Sequence, residues 1–195
     1  MQQVSSTADR RHVLADTVPA FAVRDVLLVV GFAALVGLLA QVVIPLPFTP
    51  VPITGQTFGV LLGGMALGWR RALIGMVVYV GLGLVGLHWF AGGKGGTGVI
   101  GGPSFGYLIG FIVAAAVLGR LAELRFDRDP LRVLGSMVVG NLIIYLFGVS
   151  WLMVAIHVDL AQGIALGLIP FLLGDAIKAL LAAGLLPTAW KVSGR

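Results

Sequence analysis

Long apolar runs, broken only by proline, glycine or arginine clusters, recur from residue 26 to residue 186. A helix needs roughly 20 apolar residues to cross about 30 Å of hydrocarbon at 1.5 Å per residue. By that measure, runs at about 26–44, 54–67, 72–87, 104–121, 133–156 and 164–186 predict six spans. The first run ends in IPLPFTPVPIT, where Pro45, Pro47, Pro50 and Pro52 cannot continue a helix. The second ends at Trp69-Arg70-Arg71, the third in the glycine-rich HWFAGGKGGTGVIGGP, and the fourth at the charged loop AELRFDRDPLR. Only 11% of the residues are charged and 58% are hydrophobic. A soluble domain carries about 25% charged residues, so this chain lacks the groups to cover itself in water. The expected fold class is all-α: a polytopic membrane protein with one six-helix transmembrane domain at 25–190. A cytoplasmic segment at 1–24 and a cytoplasmic tail at 191–195 flank it.

The basic residues orient the bundle. With the N-terminus inside, Arg10, Arg11, Arg24, Arg70, Arg71, Arg120, Arg125, Arg128, Arg132, Lys191 and Arg195 all fall on the cytoplasmic side. Lys94 falls in an outer loop and Lys178 within a span. This positive-inside bias predicts N-in, C-in topology, as a multi-pass protein of the cytoplasmic (inner) membrane. The net charge of +5 is then used in insertion and on anionic lipid, leaving no basic face to track nucleic-acid phosphates. Residues 1–24 are polar and lack an apolar core before a small-residue cleavage site, so no cleavable signal peptide is expected.

The last span raises the sharpest question, because PFLLGDAIKALLAAGLLP at 170–187 carries Asp175 and Lys178 inside hydrocarbon. At i and i+3 they share one helix face. Counted from Ile164, Asp175 lies near mid-span; with Pro170 in the first turn it lies about 8 Å in. Each such residue costs roughly 2.5–3.5 kcal/mol at a helix centre, so the face must point into the bundle. Gln56, Trp89, Phe90, Asn141 and Tyr145 are the other candidate ligand contacts. Gln56 brings an amide, Trp89 and Phe90 bring aromatic faces, and Asn141 and Tyr145 share a face at i and i+4. Ala33 and Gly37 form a small-xxx-small pair on the first span, suited to helix packing or to docking another membrane subunit.

Enzyme-like patterns fail on context. GPSFG at 102–106 fits G-x-S-x-G but lacks a strand-to-helix elbow, and Ser104 reads as a cap of the fourth span. GKGGTG at 93–98 fits G-x-G-x-x-G without the strand and helix that pattern needs. There is no Gly-Lys-Ser/Thr phosphate loop, no cysteine, and no metal-ligand spacing among His12, His88 and His157. No catalytic residue, metal or cofactor is expected.

Three segments carry a family resemblance: PFTPVPITGQTFGVLLGGMALGWRRA at 47–72, GGKGGTGVIGGPSFGYLIGF at 92–111 and PFLLGDAIKALLA at 170–182. Together they resemble the biotin-transporter family, the substrate-capture (S) components of energy-coupling-factor (ECF) vitamin transporters. The resemblance runs over nearly the whole chain. It implies an S-component-like six-helix bundle with a biotin pocket near the outer face, biotin being cargo and not a cofactor. It also implies a membrane coupling subunit and two ATPases as partners, with the small residues of the first span as docking face. Where relatives commonly read Leu-Pro-Val-Phe, this chain has Leu87-His88-Trp89-Phe90. Two other functions fit the same residues: capture of a different vitamin, and proton-coupled secondary transport with the Asp175–Lys178 pair as relay.

Overall fold

The computed structural model describes residues 13–18 and 23–193; the expected cytoplasmic Arg10, Arg11 and Arg195, like His12, lie outside them. Seven α-helices occur among the described residues: α1 (Arg24–Leu39), α2 (Gln56–Leu67), α3 (Trp69–Val85), α4 (Phe105–Glu123), α5 (Pro130–Ile156), α6 (Leu160–Gly167) and α7 (Leu172–Val192). A small antiparallel hairpin, β1 (Val43–Ile44) and β2 (Ile53–Thr54), closes the proline segment into a flap. Phe105–Glu123, Pro130–Ile156 and the broken run Leu160–Val192 are each long and apolar enough to cross a membrane, and Gln56–Leu67 is a shorter apolar helix.

Chain breaks decide the architecture. Gly68 alone separates α2 from α3, at φ 79°, a conformation glycine adopts without penalty. The sequence pattern put this break at Trp69-Arg70-Arg71, yet those residues form the first turn of α3. Asp129 caps α5 by accepting from Arg132 N–H at 3.0 Å, and Pro130 follows as a first-turn proline. Ser104, expected as a cap of α4, makes no side-chain capping bond. The last apolar run is not one helix. Leu168 departs from helical geometry (φ −129°), and Ile169–Phe171 form a 3-10 turn around Pro170 before α7 begins. Asp175 therefore sits in the first turn of α7.

Helices alternate in direction, so one end of the bundle gathers the hairpin, the glycine loop at 86–104 and the α6–α7 break. The other end gathers Arg24, Arg70, Arg71, Arg120 and Lys191. There the short turn Leu14–Thr17 is not a free tail, because Val13 and Ala15 are buried in the core. Arg71 holds it in place, pairing with Asp16 at 2.8 Å and Asp25 at 3.1 Å. Also at this end, Asp127 is fully buried in the α4–α5 loop and accepts from the Trp190 indole N–H at 2.6 Å. Burial pushes its carboxyl above the usual carboxylate range.

Helix contacts are made at glycine. A Cβ on Gly119 would lie 2.5 Å from the Gly68 carbonyl carbon and the Trp69 nitrogen, so α4 packs against the α2–α3 corner itself. Where the hydrophobic effect gives no drive, such close approach supplies the dispersion that holds helices together. Gly119→Ala should therefore cost about 1–3 kcal/mol, read as a lower thermal midpoint in detergent. Gly184→Ala, with no atom within 4 Å of the added carbon, should leave the midpoint unchanged or slightly higher.

Candidate ligand-binding site

Asp175 and Lys178 lie on the α7 face turned toward α2 and α5. Asp175 is 6% exposed, in a helical first turn whose unpaired N–H groups favour negative charge. Its Oδ1 pairs with Lys178 Nζ at 3.3 Å, and its Oδ2 accepts from the Tyr145 hydroxyl on α5. Lys178 donates twice more, to the Thr54 carbonyl at 3.1 Å and to Thr57 Oγ1. All three of its N–H groups thus have protein acceptors, whereas a carboxylate with four lone-pair sites keeps room for another donor.

A second strand of the network runs from this pair toward the loops. Thr54 Oγ1 donates to Gln56 Oε1 at 3.2 Å, and Gln56 Nε2 donates to the Tyr79 hydroxyl at 2.8 Å. The Tyr79 hydroxyl donates to the Trp89 carbonyl at 3.3 Å, and the Trp89 indole N–H returns to the Tyr79 carbonyl at 3.0 Å. Gln41 adds bonds to the carbonyls of Gly37 and Trp89, both at 3.0 Å. Four helices and two loops are joined by this chain of side chains.

The network borders a cavity of about 130 Å³. Asp175, Lys178, Gln56, Thr54, Thr57, Ser104 and Tyr145 are among its polar lining residues. Phe90, Tyr107, Leu108, Phe111, Ile144 and Phe171 give aromatic and aliphatic walls, and the flap (Pro50, Val51 and Pro52) and the glycine loop (Lys94 and Val99 among others) also border it. Thr49 donates to the Leu166 carbonyl at 2.8 Å and fastens the flap to α6. Trp151 donates to the Gly102 carbonyl at 3.0 Å and fastens the glycine loop to α5.

Of the residues singled out in the sequence, Asp175, Lys178, Gln56, Phe90 and Tyr145 meet at this cavity. Trp89 does not line it. Its ring lies 5.0 Å from that of Tyr79 and packs on Gly37, where an added Cβ would come within 2.9 Å of the indole. Asn141, one turn from Tyr145, is also outside the lining, and its buried Oδ1 meets no hydrogen-bond donor among the described residues. Ala33, 1% exposed, and Gly37 both face the interior. The expected docking face is thus covered by this chain's own core and by Trp89, a correction that follows from helix rotation. Sequence reasoning missed Thr54, Thr57, Tyr79, Tyr107 and Phe111. Thr57 lies beside Gln56 in sequence and was open to notice; Tyr79 and Phe111 sit in apolar runs and give no local sign.

The chain matches the BioY family over residues 8–195. The chain belongs to that family. It is 35% identical over 170 residues to the biotin transporter BioY of Rhizobium etli, covering 82% of this chain and 89% of that one. With the biotin transporter BioY of Thermotoga maritima it shares 42% over 140 residues, 72% of this chain and 81% of the other. A solved structure, the S-component for biotin from an ECF-type ABC transporter, superposes with a TM-score of 0.79 at 26% identity, covering 87% of this chain and 92% of that one. BioY proteins are thus transporter components and not enzymes.

Removing one partner of a buried pair leaves an uncompensated charge, at about 3 kcal/mol or more. Lys178→Met should therefore lower the thermal midpoint clearly, while the double change Asp175→Asn with Lys178→Met recovers part of the loss. Equal loss in single and double variants would show that the two groups are not coupled.

Proposed function

We propose that this chain captures biotin from outside the cell and carries it across the membrane as the S component of an ECF-type transporter. One observation carries the reading: an ion pair with no net charge, flanked by Gln56, Thr54, Thr57 and Tyr145, opens on a cavity walled by aromatic and aliphatic side chains. That pattern suits a ligand with a neutral polar ring set in hydrocarbon. Biotin has a flat ureido ring with two N–H donors and a carbonyl, fused to a sulfur-containing ring with an aliphatic tail. Asp175 accepts from a ureido N–H, held in register by Tyr145 on one oxygen and Lys178 on the other. Lys178 turns one N–H from Thr57 to the ureido oxygen. Charge-assisted bonds of this kind exceed neutral ones, and a dry site strengthens them. Phe90, Tyr107, Phe111 and Phe171 enclose the bicycle.

In the membrane, the six apolar runs act as six spans, the last made of α6 and α7 around the break at 168–171. The N- and C-termini face the cytoplasm of the inner membrane, and the cavity end faces out. Domain limits follow the topology, with residues 25–190 as the transmembrane unit. A membrane coupling subunit and two ATPases supply energy, in keeping with the absence of a Gly-Lys-Ser/Thr loop in this sequence.

Equilibrium binding of labelled biotin to the purified chain in detergent should be saturable and one-site. Asp175→Asn should weaken it about tenfold or more, the loss of roughly 1.4 kcal/mol in a charge-assisted bond. Folded wild-type protein that binds no biotin would sink the reading. Orientation is testable separately, because the chain has no cysteine. In intact cells, Thr97→Cys should react with a membrane-impermeant maleimide, and Ser193→Cys only after permeabilisation; the reverse pattern would invert the topology.

A further inference from the structure

The ion pair sits at one end of α7, and a second polar cluster holds the other end. Asp127, in the loop between α4 and α5, is fully buried and accepts from the Trp190 indole N–H at 2.6 Å. The Arg128 guanidinium lies over the face of the same ring, 4.1 Å from its centroid. One contact fixes the edge of the indole and the other its plane. The loop that supplies them is itself tied down: Phe126 N–H donates to the Leu121 carbonyl of α4 at 3.1 Å, and Asp129 caps α5. This cluster costs more than apolar packing would, because Asp127 Oδ1 and Arg128 Nε are buried with no hydrogen-bond partner among the described residues. Stability alone does not call for it.

Between its ends α7 has little to set its rotation. From Asp175 to Leu186 the residues it buries are Ala179, Ala182 and Ala183, while Leu173, Ile177, Leu180, Leu181 and Leu185 are exposed. Methyl groups offer no long ridge to lodge in a neighbour's groove. We infer that Asp127 is a positioning residue for the binding site: by holding Trp190 it fixes the rotation of α7, and hence where Asp175 and Lys178 stand. The inference rests on the biotin reading for its ligand and adds a control point outside the cavity lining. Trp190 lies fifteen residues beyond Asp175, about 22 Å along the axis and about 60° around it, and both are buried. The helix runs unbroken from Leu172 to Val192, so its two ends turn together. A helix with its side chains has a radius of about 5–6 Å, so turning it by about 20° carries the Asp175 carboxylate about 2 Å. That exceeds the spread of hydrogen-bond lengths, and the pair's partners, Tyr145, Thr54 and Thr57, belong to other elements and stay behind.

Three variants of the full chain in detergent test this. Trp190→Phe keeps a ring and removes the N–H; the thermal midpoint should fall and biotin should bind about tenfold more weakly. Adding Asp127→Leu removes the stranded carboxyl as well, and exchanging both polar partners for apolar ones is nearly neutral for stability. The double variant should thus regain most of the midpoint and still bind about tenfold more weakly. Asp127→Asn keeps an acceptor for the indole, and burial already favours the neutral carboxyl, so binding should stay within about twofold of wild type. In the ligand-free protein, amide hydrogen exchange over 172–178 should be about tenfold faster in the double variant than in wild type. Binding that recovers together with the midpoint, or unchanged exchange over 172–178, would overturn the inference. Wild type that binds no biotin would sink the capture reading, and exchange in the ligand-free chain would then decide this inference by itself.

Discussion

A carboxylate and an ammonium buried together in an apolar bundle must find all their partners in protein, and that demand shapes the cavity end of this molecule. Asp175 is satisfied only because α5 brings the Tyr145 hydroxyl to one oxygen and Lys178 holds the other. Lys178 in turn requires the Thr54 carbonyl, which the β hairpin delivers, and Thr57 from the start of α2. Three elements distant in sequence are thereby held around one ion pair. The break at Leu168–Phe171 serves the same end, because it begins α7 one turn before Asp175 and places the carboxylate among unpaired helix N–H groups.

From this pair the polar network extends outward through Gln56 and Tyr79 to Trp89 and Gln41. Its path gives the side chains of Trp89 and Phe90 separate tasks. Trp89 fills the space above Gly37 and donates to the Tyr79 carbonyl. The neighbouring Phe90 turns edge-on to Tyr79 and into the cavity. One short segment thus secures the loop and lines the site at once. Since Gln56 both borders the cavity and holds Tyr79, side-chain bonds and ring contacts connect the cavity floor to the glycine loop.

Where the long apolar helices run was largely legible. Apolar runs of the right length are a local property, so α4 and α5 match their runs within a few residues. Errors fell where one residue decides the chain's course: Gly68 breaks a helix that Trp69-Arg70-Arg71 was expected to end, and Leu168 divides a run that reads as continuous. In the site, Asp175, Lys178 and Gln56 stood out because polar groups are costly in hydrocarbon and therefore conspicuous. Asn141 was conspicuous for the same reason yet lies off the cavity, and Ala33 and Gly37 face inward. Apolar wall residues such as Phe111 and Phe171 could not be told from those of the core, because both are aromatic side chains on apolar helices.

By itself the sequence determined that this chain belongs in a membrane, where its apolar runs lie and that an acid and a base share one face of the last helix. Each of these follows from transfer energies and helical spacing, which need no knowledge of neighbours. Only the tertiary structure decided which polar side chains meet that pair, that Trp89 supports the site from behind while Phe90 enters it, and that the glycine loop brings Lys94 to the cavity. These depend on helix rotation and on contacts between segments far apart in the chain, and neither is encoded in any single stretch of residues.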